Sequence, residues 1–274
     1  MFPILFDFGT VDLPLLGQTH LFLPTYGFLF ALGVLAAWWW FMRRARMMGF
    51  DGDKTFSLAF YSLLAGLLGA KAALILVEWR YYLNNPAEIL GSLRIAGVLM
   101  GGVIAAVVVF VLYTRYHRLP TFKLLDAGVA PLALAQSVGR LGCFSAGCCW
   151  GRESSGPLSV VFTNPAASEQ TGVPLNVGLV PTQLIQSAND ILLAIVLTFL
   201  WRRRLRPDGT VFWVYLLLYS VSRGIIEFWR GDETRGLYFG DLVSTTQIVC
   251  AGGLILATFM IFLGRRRLRE EAGS

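Results

Sequence analysis

TFSLAFYSLLAGLLGAKAALILVEW, residues 55–79, carries one basic residue, Lys71, and keeps its single acid, Glu78, for the far end. As a helix rising ~1.5 Å per residue it outreaches a hydrocarbon core of ~30 Å. A soluble core seldom asks for one such run. This chain supplies others at 21–42, 94–114, 121–139, 181–201, 211–229 and 241–263. With 55% hydrophobic and only 15% charged residues, the reading is an all-α polytopic membrane protein of about seven transmembrane helices. The run at 121–139 is the most polar, with Asp126, Pro131 and Gln136.

The start, MFPILFDFGTVDLPLLGQT, has neither a cationic opening nor a small-residue cleavage site, so it reads as an interfacial segment and not as a signal peptide. Basic residues then set orientation. Arg43, Arg44, Arg46 and Lys54 follow the first run, and Arg115, Arg118 and Lys123 follow the third. Arg202, Arg203, Arg204 and Arg206 follow the fifth, and Arg265, Arg266, Arg267 and Arg269 the last. These alternate loops are cytoplasmic by the positive-inside rule, which places the N-terminus outside and the C-terminus inside. The net charge of +6 is thereby a matter of topology and calls for no nucleic acid. The whole chain, 1–274, reads as one integral membrane domain. A small outward-facing head occupies 140–180, where GPLSVVFTNP and VPLNVGLVP hold short β-like runs.

Lys71, Arg80, Arg94, Arg140, Arg152, Arg223, Arg230 and Arg235 escape the cytoplasmic loops. Lys71 lies ~24 Å into its run, and a charge at such depth seeks a partner, a wet cavity or the interface. In SRGIIEFWRGD, residues 222–232, Arg223, Glu227 and Arg230 stand at i, i+4 and i+7, one face of a helix. Glu227 pairs with one arginine and leaves one net positive charge. That pattern fits either an ion-pair ladder or an anion site, and a lipid phosphate suits arginine's planar fork.

VGRLGCFSAGCCWGR, residues 138–152, places Arg140 on the same outer side. Gly139, Gly142, Gly147 and Gly151 there allow close backbone approach to a ligand or to another helix. Cys143, Cys148 and Cys149 are compatible with packing, a disulfide or a reactive thiol. Neither histidine, His20 or His117, is near them, which argues against a metal. No motif calls for a soluble cofactor.

Taken together these stretches resemble the phosphatidylglycerol–prolipoprotein diacylglyceryl transferase family. GRLGCFSAGCCWGR is similar to the family signature, with Arg140 in it and Gly151-Arg152 closing it. PTYG at 24–27 supplies Tyr26, GAKAALILVEW supplies Lys71, and PTQLIQ at 181–186 resembles PSQLYE and holds Gln183. RGIIEFWR carries Arg223, Glu227 and Arg230, and TTQI carries Gln247. The resemblance implies a bacterial inner-membrane enzyme whose partners are phosphatidylglycerol, preprolipoprotein signal peptides and the surrounding membrane lipids. It moves a diacylglyceryl group to a lipobox cysteine, forms a thioether and releases glycerol phosphate. On that basis Arg140, Arg223 and Glu227 are the catalytic candidates. Tyr26, Lys71, Gly142, Gly151, Arg152, Gln183, Arg230 and Gln247 are the substrate-binding ones.

Some positions depart from the family pattern. Met100 stands where members often carry a histidine proposed to take the thiol proton, Cys143 replaces an asparagine, and Ala146–Cys148 replaces Asn-Gly-Glu. Thiol deprotonation then falls to Glu227, or to arginines that lower the thiol's pKa. A changed acceptor, a nucleophilic Cys148 or Cys149, and a phospholipid-binding or transport protein without chemistry are the competing readings.

Overall fold

The structure, a computed structural model, describes residues 2–13, 17–85, 88–91, 97–232, 236–238 and 243–273. Arg94 and Arg235 lie outside them. In chain order the elements are strands β1 (Ile4–Leu13) and β2 (Gly17–Pro24), then helices α1 (Thr25–Met47), α2 (Gly52–Val77), α3 (Trp79–Asn84), α4 (Glu88–Gly91), α5 (Leu99–Tyr116) and α6 (Thr121–Ala146). There follow β3 (Val160–Val161), α7 (Pro165–Thr171), β4 (Gly178–Leu179), α8 (Thr182–Arg202), α9 (Thr210–Ile226), β5 (Leu237–Tyr238), β6 (Val243–Ser244) and α10 (Thr245–Gly273). Among the described residues six helical segments are long and apolar enough to cross a membrane: α1, α2, α5, α8, α9 with the turn that follows it, and α10. The protein is therefore an all-α polytopic membrane protein. The 121–139 run, expected as a span, is part of the long helix α6, but its polar residues keep it out of that set.

Several boundaries differ from the sequence expectation: α10 runs on to Gly273, past the expected end at 263, and two differ at the start of a span. Residues 21–24, expected to open the first span, belong to β2, which pairs antiparallel with β1. The N-terminal segment is thus a β-hairpin, and its aromatic and β-branched residues, among them Phe6, Phe8, Thr10 and Phe22, suit a strand. The third span was expected from 94. Residues 94–96 are outside the described set, and the helix begins at Leu99.

The chain divides into two compact units, one of Phe41–Leu124 and one of Met1–Trp40 with Leu125–Ser274. In the first, α2 opens on the Asp51 side chain, which accepts hydrogen bonds from the amides of Asp53 (2.8 Å) and Lys54 (3.2 Å). This satisfies two of the first-turn N–H groups a helix leaves open. Helix α2 packs closely on α5 through small residues. A Cβ on Gly69 would meet Ala105 Cβ at 2.3 Å, and one on Gly101 would meet Ala73 Cβ at 2.2 Å. Lipid tails give no hydrophobic drive between helices, so close backbone approach of this kind holds the pair. Lys71 is half-buried on α2 and Met100 is exposed at the start of α5.

In the second unit α6, α8 and α9 share a core of Val129, Ala130, Ala133, Leu193, Ala194, Leu197, Val211 and Tyr215. Asp126 explains the polarity of α6. Its carboxylate accepts from the amides of Gly209 (2.7 Å) and Phe212 (2.8 Å), so a neighbouring helix caps the positive end of α9. Asp126→Ala is expected to lower stability by about 2–3 kcal/mol, because charge-assisted bonds to buried amides are lost. Equilibrium unfolding in mixed micelles measures it.

The connection from α6 to α8 is folded. Strands β3 and β4 pair antiparallel, where the sequence showed β-like runs. Between them α7 starts from an Asn164 cap, whose side chain accepts from Ala166 N (3.0 Å), with Pro165 in the first turn. Phe162, Ala167, Val173 and Leu179 form its small core.

Candidate functional site

Helix α9 ends at Ile226 and tightens into a 3-10 turn over Glu227–Trp229, after which Arg230 is extended. The expected helical stripe of Arg223, Glu227 and Arg230 is therefore broken after its second member, yet the charges still meet. Arg223 Nη1 lies 2.7 Å from Glu227 Oε2, and Arg230 Nη1 lies 3.8 Å from the same oxygen. Asp232, which the sequence reading passed over, grips Arg230 bidentately, with Nε donating to Oδ1 at 2.8 Å and Nη2 to Oδ2. Burial works against the Arg230 charge, but the bond to Asp232 together with the charges of Cys149, Asp232 and Glu227 outweighs it, so the guanidinium pKa is raised. Two arginines and two carboxylates balance. The net positive charge expected on this stripe is absent from it.

The excess charge sits on Arg140, in the last turns of α6. Among the described residues Arg140 makes no ion pair. It lies within electrostatic range of Asp190 on α8 and Tyr219 on α9, as Arg223 does. Tyr26, at the start of α1, also feels Arg140. Its ring stacks on Phe30, and a Cβ on Gly142 would meet Tyr26 Cδ2 at 3.1 Å. Three residues singled out in the sequence, Tyr26, Arg140 and Gly142, thus come together at one end of the second unit. Arg152 is exposed.

A polar layer inside the bundle adjoins them. Ser137 and Ser187 share a hydrogen bond (2.9 Å), and Tyr215 donates to Gln136 (2.8 Å). Gln186 and Asn189 donate to Asp190 Oδ1 at 2.8 and 3.3 Å. Asp190 is 1% exposed, and its Oδ2 has no hydrogen-bond partner among the described residues. The legible signal was QSAND, residues 186–190, five residues without a large apolar side chain inside an apolar helix.

The arrangement sets the half-buried Arg140 cation among groups from α1, α8 and α9, a setting suited to an anion, and the sequence has known counterparts. The profile described as Prolipoprotein diacylglyceryl transferase matches residues 15–263. The chain belongs to that family.

Similar relatives include the phosphatidylglycerol–prolipoprotein diacylglyceryl transferase of Clostridium tetani (strain Massachusetts / E88), 36% identical over 88% of this chain and 93% of the relative. The enzyme of that name numbered 2 from Clostridium perfringens (strain 13 / Type A) is 30% identical over 90% of this chain and 94% of its own. One from Dehalococcoides mccartyi (strain ATCC BAA-2266 / KCTC 15142 / 195) is 32% identical over 90% and 91%.

Within this prolipoprotein diacylglyceryl transferase family member the remaining candidates have visible structural partners. Gln183 is buried and donates to Cys148 O (2.9 Å). Gln247 and Ser244 form a capping box on α10: Gln247 Oε1 accepts from Ser244 N at 2.9 Å, and Ser244 Oγ accepts from Gln247 N at 3.2 Å. Gly151 is wedged between two backbones. Its N–H donates to Val180 O (3.1 Å), and Arg152 N donates to Trp229 O (2.8 Å). A Cβ on Gly151 would stand 2.4 Å from Val180 O. Gly151→Ala is accordingly expected to cost about 1–3 kcal/mol through forced backbone shifts, visible as a lower unfolding midpoint. Lys71 and Met100 belong to the other unit.

Proposed function

We propose that this chain is a phosphatidylglycerol–prolipoprotein diacylglyceryl transferase of the bacterial inner membrane. It takes the diacylglyceryl group of phosphatidylglycerol and attaches it to the lipobox cysteine of a preprolipoprotein signal peptide. The observation that carries the reading is Arg140: a half-buried guanidinium without an ion pair among the described residues, beside a balanced Arg223–Glu227–Arg230–Asp232 network, in an apolar bundle. Such a cation suits a lipid phosphate.

In the reaction the acceptor sulfur attacks the glyceryl carbon, a C–S bond forms, and the C–O bond to phosphate breaks. Glycerol phosphate leaves with the electron pair. Negative charge grows on the departing phosphate, and a pre-positioned arginine stabilises it most at that moment. Arg140 holds the phosphate together with Arg223, which Glu227 orients. Tyr26 donates to the headgroup. Asp232 fixes Arg230, and Gln183 and Gly151 shape the loop that carries Arg152. Lys71 and Gln247 are assigned to substrate contacts on the family pattern alone.

In this reading α6 is the fourth of seven spans, residues 140–180 form an outer head, and these groups act where lipid and signal peptide meet. Both substrates are membrane-embedded, so they enter laterally from the bilayer. The test is purified protein with phosphatidylglycerol vesicles and a lipobox peptide, read by mass spectrometry. A diacylglyceryl mass on the peptide cysteine is expected. No adduct, with an active relative working alongside, would leave a lipid-binding protein.

A further inference from the structure

Cys143, Cys148 and Cys149 are free thiols whose three Sγ atoms lie within 4.8 Å of one another. The arrangement is built. Cys143 lies in the last turn of α6, Gly147 turns the chain at φ +83, and Cys149 holds φ +60, a left-handed conformation that a non-glycine residue seldom takes without reason. Cys148 N donates to Cys143 O at 3.1 Å. Three side chains then lock the loop: Thr171 donates to Gly147 O (3.1 Å), Gln183 to Cys148 O (2.9 Å) and Thr182 to Cys149 O (2.8 Å). Chance packing of small side chains needs no such clamp.

Metal–sulfur bonds of ~2.3 Å hold sulfurs about 3.8 Å apart in a tetrahedral site, so these thiols need to close by about 1 Å or less. The absence of a nearby histidine, which argued against a metal in the sequence, loses its force once three sulfurs converge. No fourth His, Cys, Asp or Glu joins the group among the described residues. Three protein ligands with an open fourth position is the arrangement of catalytic, not structural, zinc sites. Charge agrees. Three thiolates and a divalent cation sum to −1, and Arg140 and Arg230 both act electrostatically on Cys149.

We infer that Cys143, Cys148 and Cys149 bind one thiophilic divalent cation of the zinc class, whose open position takes the acceptor cysteine. The second half rests on the transferase reading above. A coordinated thiol is deprotonated outright: its proton passes to solvent, and its sulfur keeps the lone pair that attacks the glyceryl carbon as the C–O bond to phosphate breaks. The cation thereby does what Met100 cannot, because a thioether takes no proton.

The full-length protein, reduced and freed of reductant in detergent, is titrated with Cd2+ alone. One equivalent should bind, with a sulfur-to-cadmium charge-transfer band. Cys250→Ser, altered on α10 away from the cluster, should leave it unchanged, and Cys148→Ser or Cys143→Ser should weaken binding at least about tenfold. A wild-type protein with all four thiols reduced and no band overturns the site. So does a band that survives in the Cys148→Ser, Cys149→Ser double variant. Adding a lipobox peptide should strengthen the band by one thiolate, and a cysteine-to-serine peptide should not; equal responses overturn the open position. In the transfer assay, loss of adduct on chelation and recovery with Zn2+ supports the role in chemistry, and undiminished transfer after metal removal overturns it. A Cd2+ band without transfer under any condition removes the transferase reading and leaves the binding site standing.

Discussion

Arg140→Ala should lower diacylglyceryl transfer by about 100- to 1,000-fold, the usual loss when one donor to a developing anion is removed. Its unfolding midpoint should stay near that of the parent protein. Arg140 makes no ion pair among the described residues, so its removal strands no paired charge. Asp190, the nearby carboxylate, keeps its bonds from Gln186 and Asn189. Arg140→Lys should recover part of the rate, since an ammonium retains the charge but loses the fork that matches two phosphate oxygens. Transfer to a lipobox peptide, measured with unfolding in micelles, separates the two effects. Wild-type transfer in Arg140→Ala would remove this residue from the phosphate site.

Glu227→Ala should do the opposite in emphasis and cost about 3–5 kcal/mol of stability as well as activity. The carboxylate is 2% exposed and stands 2.7 Å from the buried Arg223 guanidinium. Deleting it leaves Arg223 in a low-dielectric interior without the counter-charge that made burial tolerable. Arg230 is less affected, because Asp232 still grips it. A double-mutant cycle distinguishes this from simple loss of packing. Arg223→Ala together with Glu227→Ala should cost less than the two single changes added, since neither partner is then left charged and alone. Strict additivity would show that the pair contributes little. The double variant should remain inactive even where its stability recovers, because the orientation of the phosphate site is lost with Arg223.

These contrasting expectations trace back to features unequally legible in the chain. Helix α2 was readable from composition alone, because an uninterrupted apolar run of that length has few soluble alternatives. The hairpin of β1 and β2 was not, since aromatic and β-branched residues beside a span suit either an interfacial helix or a strand, and pairing between distant residues decides. Arg223 and Glu227 were legible as a pair because i, i+4 spacing holds in any helix. Arg230 was placed on the same face only by assuming that α9 continues, and the 3-10 turn at Glu227–Trp229 removes that assumption. Asp232 then took over its charge.

What the sequence by itself determined is local and compositional: an apolar multi-span chain, the helical segments, and the arginines that do not belong in lipid. Solvent transfer and helix periodicity act residue by residue and need no partner. What only the tertiary structure decided is which charges cancel and which groups converge. Arg140 stands as the site cation without an ion pair among the described residues, while Asp232 joins Glu227 in balancing Arg223 and Arg230. Asp126 became a helix cap only because the start of α9 lies across from it. Cys143, Cys148 and Cys149 became a three-sulfur cluster only because Gly147 and Cys149 turn the chain back and α8 holds it there. Ion pairs, caps and side-chain clusters depend on distances of a few ångströms, and those distances exist only once turns have formed and the helices have packed.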